Sequence, residues 1–117
     1  MTTNLKINYL EIQVKDINKT KTFYGETFGW SFKDFGPDYC AFNDGRMDGG
    51  FYTSEQSSKT SLGGVLVVLY SDDIESAKGL IVENGGKISK EIFSFPGGRR
   101  FHFEDPSGNE LAVWSDK

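Results

Sequence analysis

One strand-to-helix unit occurs twice in this chain, and that repetition limits what it can fold into more than any other feature. In Ile7 to Trp30 (INYLEIQVKDINKTKTFYGETFGW), the apolar Leu10, Ile12 and Val14 alternate with Tyr9, Glu11 and Gln13. A period of two is that of a strand with one buried face. At Asp16 the period changes: Ile17, Thr20, Phe23, Tyr24 and Phe28 fall on one side of a helix, which Gly29 closes with a left-handed cap. A shift of 57 positions then lays Asp16 on Asp73, Ile17 on Ile74, Lys21 on Lys78, Glu26 on Glu83 and Gly29 on Gly86. Leu10, Ile12 and Phe23 meet Val67, Leu69 and Leu80 under the same shift. Two copies are too few for a solenoid, so the pattern predicts a pseudo-symmetric pair of half-domains.

The rest of each copy reads as strands. Trp30 to Phe35, Tyr39 to Phe42 and Met47 to Tyr52 are short strands, separated by Gly36-Pro37 and by Asn43-Asp44-Gly45. Glycines 49 and 50 inside the last of these mark either a bulge or the close approach of another group. Thr53 to Ser61 is polar and aperiodic, the natural linker and mobile segment. Val65 to Tyr70 is continuously apolar and is expected to be buried on both faces. A second helix capped by Asp72 or Asp73 runs to about Asn84. Strands follow over Lys87 to Phe95, Arg99 to Glu104 and Glu110 to Trp114, with turns at Pro96-Gly97-Gly98 and at Asp105 to Asn109. The order is β-α-β-β-β, twice, in one domain of 117 residues. Module one spans about 5–53, the linker 54–62 and module two 63–116.

A net charge of −4 argues against nucleic-acid and anionic-membrane partners, which need a positive footprint. Neither a secretory signal nor a bilayer-spanning run is read in the sequence, so a cytoplasmic location is expected. The single cysteine, Cys40, reads as a packed thiol. No phosphate-binding glycine motif, nucleophile elbow or Cys-His pair is present, and no cofactor is expected.

The paired β-α-β-β-β units, the FYGETFGW ending of the first helix and the DPSGNEL turn resemble the vicinal oxygen chelate superfamily. That superfamily includes glyoxalases, extradiol dioxygenases, fosfomycin-resistance enzymes and bleomycin-resistance proteins. The resemblance extends from about Ile7 to Trp114. It implies an α+β fold whose two tandem βαβββ modules form a curled mixed sheet, a cup, with the helices outside. It also implies a homodimer and a metal site. The first ligand position, seven residues before the helix-starting Asp, holds Tyr9 here; its counterpart in module two is Leu66. The fourth, four residues after the turn glycine, is Ala112, and the third falls near Gly49. Zinc, iron and nickel require imidazole, thiolate or carboxylate donors, so the usual centre is not expected and no residue is assigned as a metal ligand.

With Leu10, Ile12 and Val14 turned to the helix, alternation turns Tyr9, Glu11 and Gln13 into the cup. The same logic assigns Leu66, Val68 and Tyr70 to it, with Glu110, Ala112 and Trp114 from the last strand. Met47, Gly49 and Phe51 join them from the fourth strand. His102, at a position where relatives place a substrate-contacting aromatic, has Tyr39 as its counterpart. The result is an aromatic pocket with a few polar groups, suited to a small organic ligand. Glu11 reads as a general base, a ligand anchor or a partner of Arg100; Arg99 and Arg100 read as attractors of an anionic group or as a basic hairpin. Glu11, Glu110 and His102 would also make a substitute divalent-ion site if they converged. The expected function is therefore small-molecule binding, for example sequestration of an antibiotic or metabolite. The alternative is a lyase or isomerase, related to lactoylglutathione lyase, that uses Glu11 or His102 for acid–base chemistry.

Overall fold

A computed structural model describes residues 3–117; the first two positions of the 1–117 domain expected from the sequence lie outside the described residues. The chain divides into two compact units, the first ending at Gln56 and the second beginning at Ser57. The first contains β1 (Tyr9–Val14), α1 (Ile17–Phe28), β2 (Ser31–Asp34), β3 (Tyr39–Asn43) and β4 (Asp48–Thr53). The second contains β5 (Val67–Tyr70), α2 (Ile74–Glu83), β6 (Lys87–Phe95), β7 (Gly98–Glu104) and β8 (Glu110–Ser115). Each unit is a βαβββ module with its own four-stranded mixed sheet, ordered β1-β4-β3-β2 and β5-β8-β7-β6. In both, the first and last strands pair in parallel and the others antiparallel.

The helices start where the sequence places them. The Asp16 carboxylate accepts from the Lys19 backbone N–H at 3.0 Å and that of Asp73 from Ser76 at 3.1 Å, each satisfying an amide that the first helical turn leaves free. Gly29, at φ 75°, ends α1 in the left-handed region. One face of each sheet packs on its helix. In module one this face carries an aromatic stack: Tyr24 and Trp30 lie 4.8 Å apart, Trp30 and Phe42 4.8 Å, and Phe42 and Phe51 4.7 Å. In module two Phe101, Phe103, Leu111 and Val113 are buried with Ile74 and Ile81 of α2.

Five local expectations need correction. Phe51 does not line the cup: it stands beside Ile12 in the β1–β4 ladder, fully buried among the rings of the helix side. Strand β4 starts at Asp48 because Met47 belongs to the preceding turn, where its N–H donates to the Asp44 carboxylate. Gly49 also turns to the helix side, where a side chain would collide with Phe42. The Val65–Tyr70 segment is not buried on both faces: Val65, Val68 and Tyr70 are 83%, 42% and 50% exposed. Strand β5 is an edge strand of four residues paired only with β8, so one flank and one face lack cover within its sheet. Finally, the polar linker is fastened over its second half. Ser57 Oγ donates to the Ser107 carbonyl, Ser58 N–H to Asn109 Oδ1 and Glu110 N–H to the Ser58 carbonyl, at 2.6, 2.7 and 2.8 Å.

Candidate functional site

The face of each sheet away from its helix carries the polar side chains. In module one, register places Tyr9, Glu11 and Gln13 of β1 on this face with Gly50 and Tyr52 of β4 and Tyr39 of β3. Tyr9 Oη and Tyr39 Oη are 2.5 Å apart, and Tyr39 donates to Glu11 Oε2 at 2.9 Å. The carboxylate terminates a relay of two phenols. Burial of its hydroxyl, then the bonds to Tyr9 and Glu11, push the ionisation of Tyr39 well above the ordinary phenol range. Gly50 is the cradle for this pair: a Cβ there would lie 2.0 Å from Tyr39 Oη and 2.8 Å from Tyr9 Oη. Glu11 itself is exposed, so it does not face the cost of a buried carboxylate. Tyr52 reaches Gln13 Oε1 at 3.5 Å.

In module two, β5, β8, β7 and β6 bring Val68, Tyr70, Glu110, Ala112, Trp114, Arg100, His102, Lys90 and Phe93 onto one face. Leu66 lies just before β5 and holds no ladder position. At the centre, His102 Nδ1 and Glu110 Oε2 are 2.8 Å apart. The other carboxylate oxygen of Glu110 accepts from both the backbone N–H and the hydroxyl of Thr60, each at 2.8 Å. The bond to His102, then the Thr60 amide, hold the Glu110 carboxyl down at about 2. An ionised carboxylate only accepts, so the proton of a neutral His102 ring sits on Nδ1 and the Nε2 lone pair is open. His102 is 6% exposed, and Nε2 is buried without a hydrogen-bond partner.

Arg100 stands two residues along the same face. Its guanidinium carbon lies 5.3 Å from the Phe93 ring centroid and 5.8 Å from that of Phe95, and its Nε is also buried without a partner. Tyr70 meets Trp114 edge-on at 5.2 Å, with its hydroxyl 2.6 Å from Asp116. Arg99 makes a surface pair with Glu75 at 2.7 Å.

Register also revises the correspondence between modules. The residue opposite Gly50 is Ala41, whereas Ala112 faces His102; Tyr39, opposite Tyr52, therefore corresponds to Arg100 and not to His102. Sequence reasoning marked Gly50 as a bulge or a close approach, of which the phenol pair is the second, and missed Tyr52, Thr60 and Phe93. Phe93 was not readable by alternation because register shifts in β6 place both Lys90 and Phe93 on the His102 face, three residues apart. Away from these clusters, an open polar depression of about 360 Å³ lies beside the start of α1 and holds none of the expected site residues.

The metal-ligand positions that the family resemblance implies carry Tyr9, Leu66, Ala112 and a glycine near position 49. Leu66, Ala112 and glycine offer no donor, and the Tyr9 phenol is engaged with Tyr39. Among the described residues, no group of three or more His, Cys, Asp or Glu side chains is placed to hold a metal ion.

Two mixed βαβββ sheets with polar helix-free faces define a fold class that the comparisons identify. A family model described as the Glyoxalase/Bleomycin resistance protein/Dioxygenase superfamily matches residues 6–113, and the chain belongs to that superfamily. No curated protein matches it by sequence. Among solved structures, it is similar to a glyoxalase-related enzyme from Fulvimarina pelagi, with a TM-score of 0.79, 14% identity and coverage of 95% of this chain and 88% of the other. It is also similar to lactoylglutathione lyase from Agrobacterium tumefaciens (TM-score 0.73, 18% identity, coverage 97% and 96%). An integron cassette protein of V. cholerae shares 22% identity over 98% of both chains, with a TM-score of 0.67. Among the described residues, no helix is long and apolar enough to cross a membrane.

Proposed function

We propose that this protein binds a small organic molecule on the helix-free face of module two, without the metal ligands of its superfamily. One observation carries the reading: His102 is buried, tied at Nδ1 to Glu110 and without a partner at Nε2. An unmet buried acceptor costs about 1–3 kcal/mol. A ligand donor at Nε2 recovers that cost, while Phe93, Trp114 and Val68 supply apolar contact. Sequestration of an antibiotic or metabolite is the simplest use of such a site. Homodimerisation, which the family resemblance implies, is checked by sedimentation.

The second reading is a lyase or isomerase, and the Glu110–His102 pair favours it. A carboxylate that fixes the ring tautomer leaves Nε2 poised to accept a proton from a bound carbon acid. Solvent-deuterium exchange into the ligand separates the two readings: an enzyme loses exchange in His102→Gln, whereas a binder shows none in the wild type.

The test is a thermal-shift screen of metal-stripped protein with divalent metals, antibiotics and glutathione conjugates. A ligand at one hundred times its Kd adds about 2.7 kcal/mol. For a chain of this length that is a rise of roughly 11 °C. Stabilisation by an organic compound that His102→Gln abolishes is the expected result. Stabilisation by a metal alone at micromolar concentration, or by no organic compound, overturns it.

A further inference from the structure

We infer that the ligand of module two is an organic acid, whose carboxylate is held by Arg100 while a neighbouring polar group meets His102. The inference rests on the binding reading above and adds the chemical class of the ligand. Its starting point is a charge without a counterion. Among the described residues, no carboxylate lies within ion-pair distance of Arg100, although the chain carries a net negative charge and Arg99, its immediate neighbour, is paired. The Arg100 guanidinium is instead flanked by the Phe93 and Phe95 rings, with Nε buried and unbonded. Aromatic faces attract a cation but accept none of its in-plane N–H bonds, so the donor edge is left for an acceptor lying in the guanidinium plane.

A carboxylate fits that edge, since it takes two parallel N–H bonds from a guanidinium fork. The charge count agrees. One guanidinium balances one carboxylate, while a phosphate dianion calls for further cations or a cluster of free amides. The cation nearest this pair along β6 is Lys90, opposite His102; its side chain is exposed and lies 4.4 Å from the Phe93 ring centroid. Arg100 and His102 alternate on one strand, opposite Trp114 and Ala112. Two positions on one face of a strand are about 7 Å apart, the length of a small acid with a hydroxyl, keto or amide group a few bonds from its carboxylate. Both orphaned nitrogens then gain partners from one molecule. Ala112, fully buried opposite His102, keeps the surface beside the ring low.

The chain's only histidine gives the test a direct reporter. Phenylacetate, pyruvate, phenylpyruvate and succinate are titrated into the full-length protein, alongside phenylacetamide and inorganic phosphate. The His102 ring protons are followed by NMR and the affinity by calorimetry. At least one carboxylate should shift the His102 resonances saturably with a Kd of about 1 mM or tighter. Phenylacetamide should bind at least about tenfold more weakly than phenylacetate. Arg100→Gln should remove that preference while leaving the His102–Glu110 bond and the melting temperature in place. Arg100→Lys, which keeps charge but not the planar fork, should restore only part of it. Equal binding of phenylacetate and its amide, a carboxylate preference that persists in Arg100→Gln, or tighter binding of phosphate overturns the inference. So does the absence of any saturable carboxylate response. Neutral compounds that move the His102 signals as tightly as the carboxylates do would leave the binding reading standing and remove only the organic-acid assignment.

Discussion

Replacing Glu110 with Gln tests the centre of module two most directly. The Glu110 carboxylate accepts from Thr60 N–H, Thr60 Oγ1 and His102 Nδ1, and its side chain is 15% exposed. These donors draw its ionisation from the ordinary 4.5 down to about 2. At about 1.4 kcal/mol per pH unit, the ceiling on the corresponding stabilisation is about 3 kcal/mol. Screening by the solvent that still reaches the site lowers the expected value to about 1.5–2 kcal/mol. Because the folded-state value is depressed, this stability is fully present above the unfolded value near 4.5. It is lost as pH falls through that value towards 2. Urea denaturation at pH 6.5 should therefore show Glu110→Gln less stable by about 1.5–2 kcal/mol, a midpoint shift of about 1 M. The gap should close between pH 4.5 and pH 2. A Thr60→Ala, Glu110→Gln double-mutant cycle should give a coupling of about 1 kcal/mol. A Glu110→Gln protein within about 0.5 kcal/mol of the wild type at pH 6.5, or a gap unchanged at pH 2, refutes the reasoning.

Three further outcomes follow from the local geometry. Gly50→Ala should drive the Tyr9 and Tyr39 hydroxyls apart at a cost of about 1 kcal/mol, because phenol tips move more readily than backbone; spectrophotometric titration should find Tyr39 ionising nearer the ordinary phenol range. Asp16→Ala and Asp73→Ala should each cost about 1 kcal/mol in chemical denaturation, since each removes one N-cap bond from equivalent helices. Cys40 is fully buried, and burial, then its bond to Asp34, push its thiol up to about 11, so labelling by a thiol reagent at pH 8 should proceed only at the rate of unfolding.

The legible part of the site is the part where side chains alternate cleanly. Tyr9, Glu11 and Gln13 separate from Leu10, Ile12 and Val14 by chemistry alone, and β1 obeys that division. His102 and Glu110 likewise oppose Phe101, Phe103 and Leu111, so their shared face could be read from two strands independently. Phe51 could not be placed because glycines 49 and 50 carry no side-chain signal to fix parity. The register was set by a turn in which Asp44 captures the amides of Arg46 and Met47. The Val65–Tyr70 run, apolar at every position, holds no information about which face is covered.

The sequence by itself determined the repeat, both helices, the caps of the first, the α+β class and the residue types available to any site. Those properties depend on periodicity and on bonds spanning three or four residues, which a linear reading contains. Tertiary structure decided which polar groups meet. Glu110 finds Thr60 from 50 residues away, Tyr39 finds Glu11 from 28, and Arg100 comes to rest between two rings of a bulged neighbouring strand. Such meetings are fixed by strand register and by where the chain can satisfy its buried donors and acceptors, and only the folded chain imposes either.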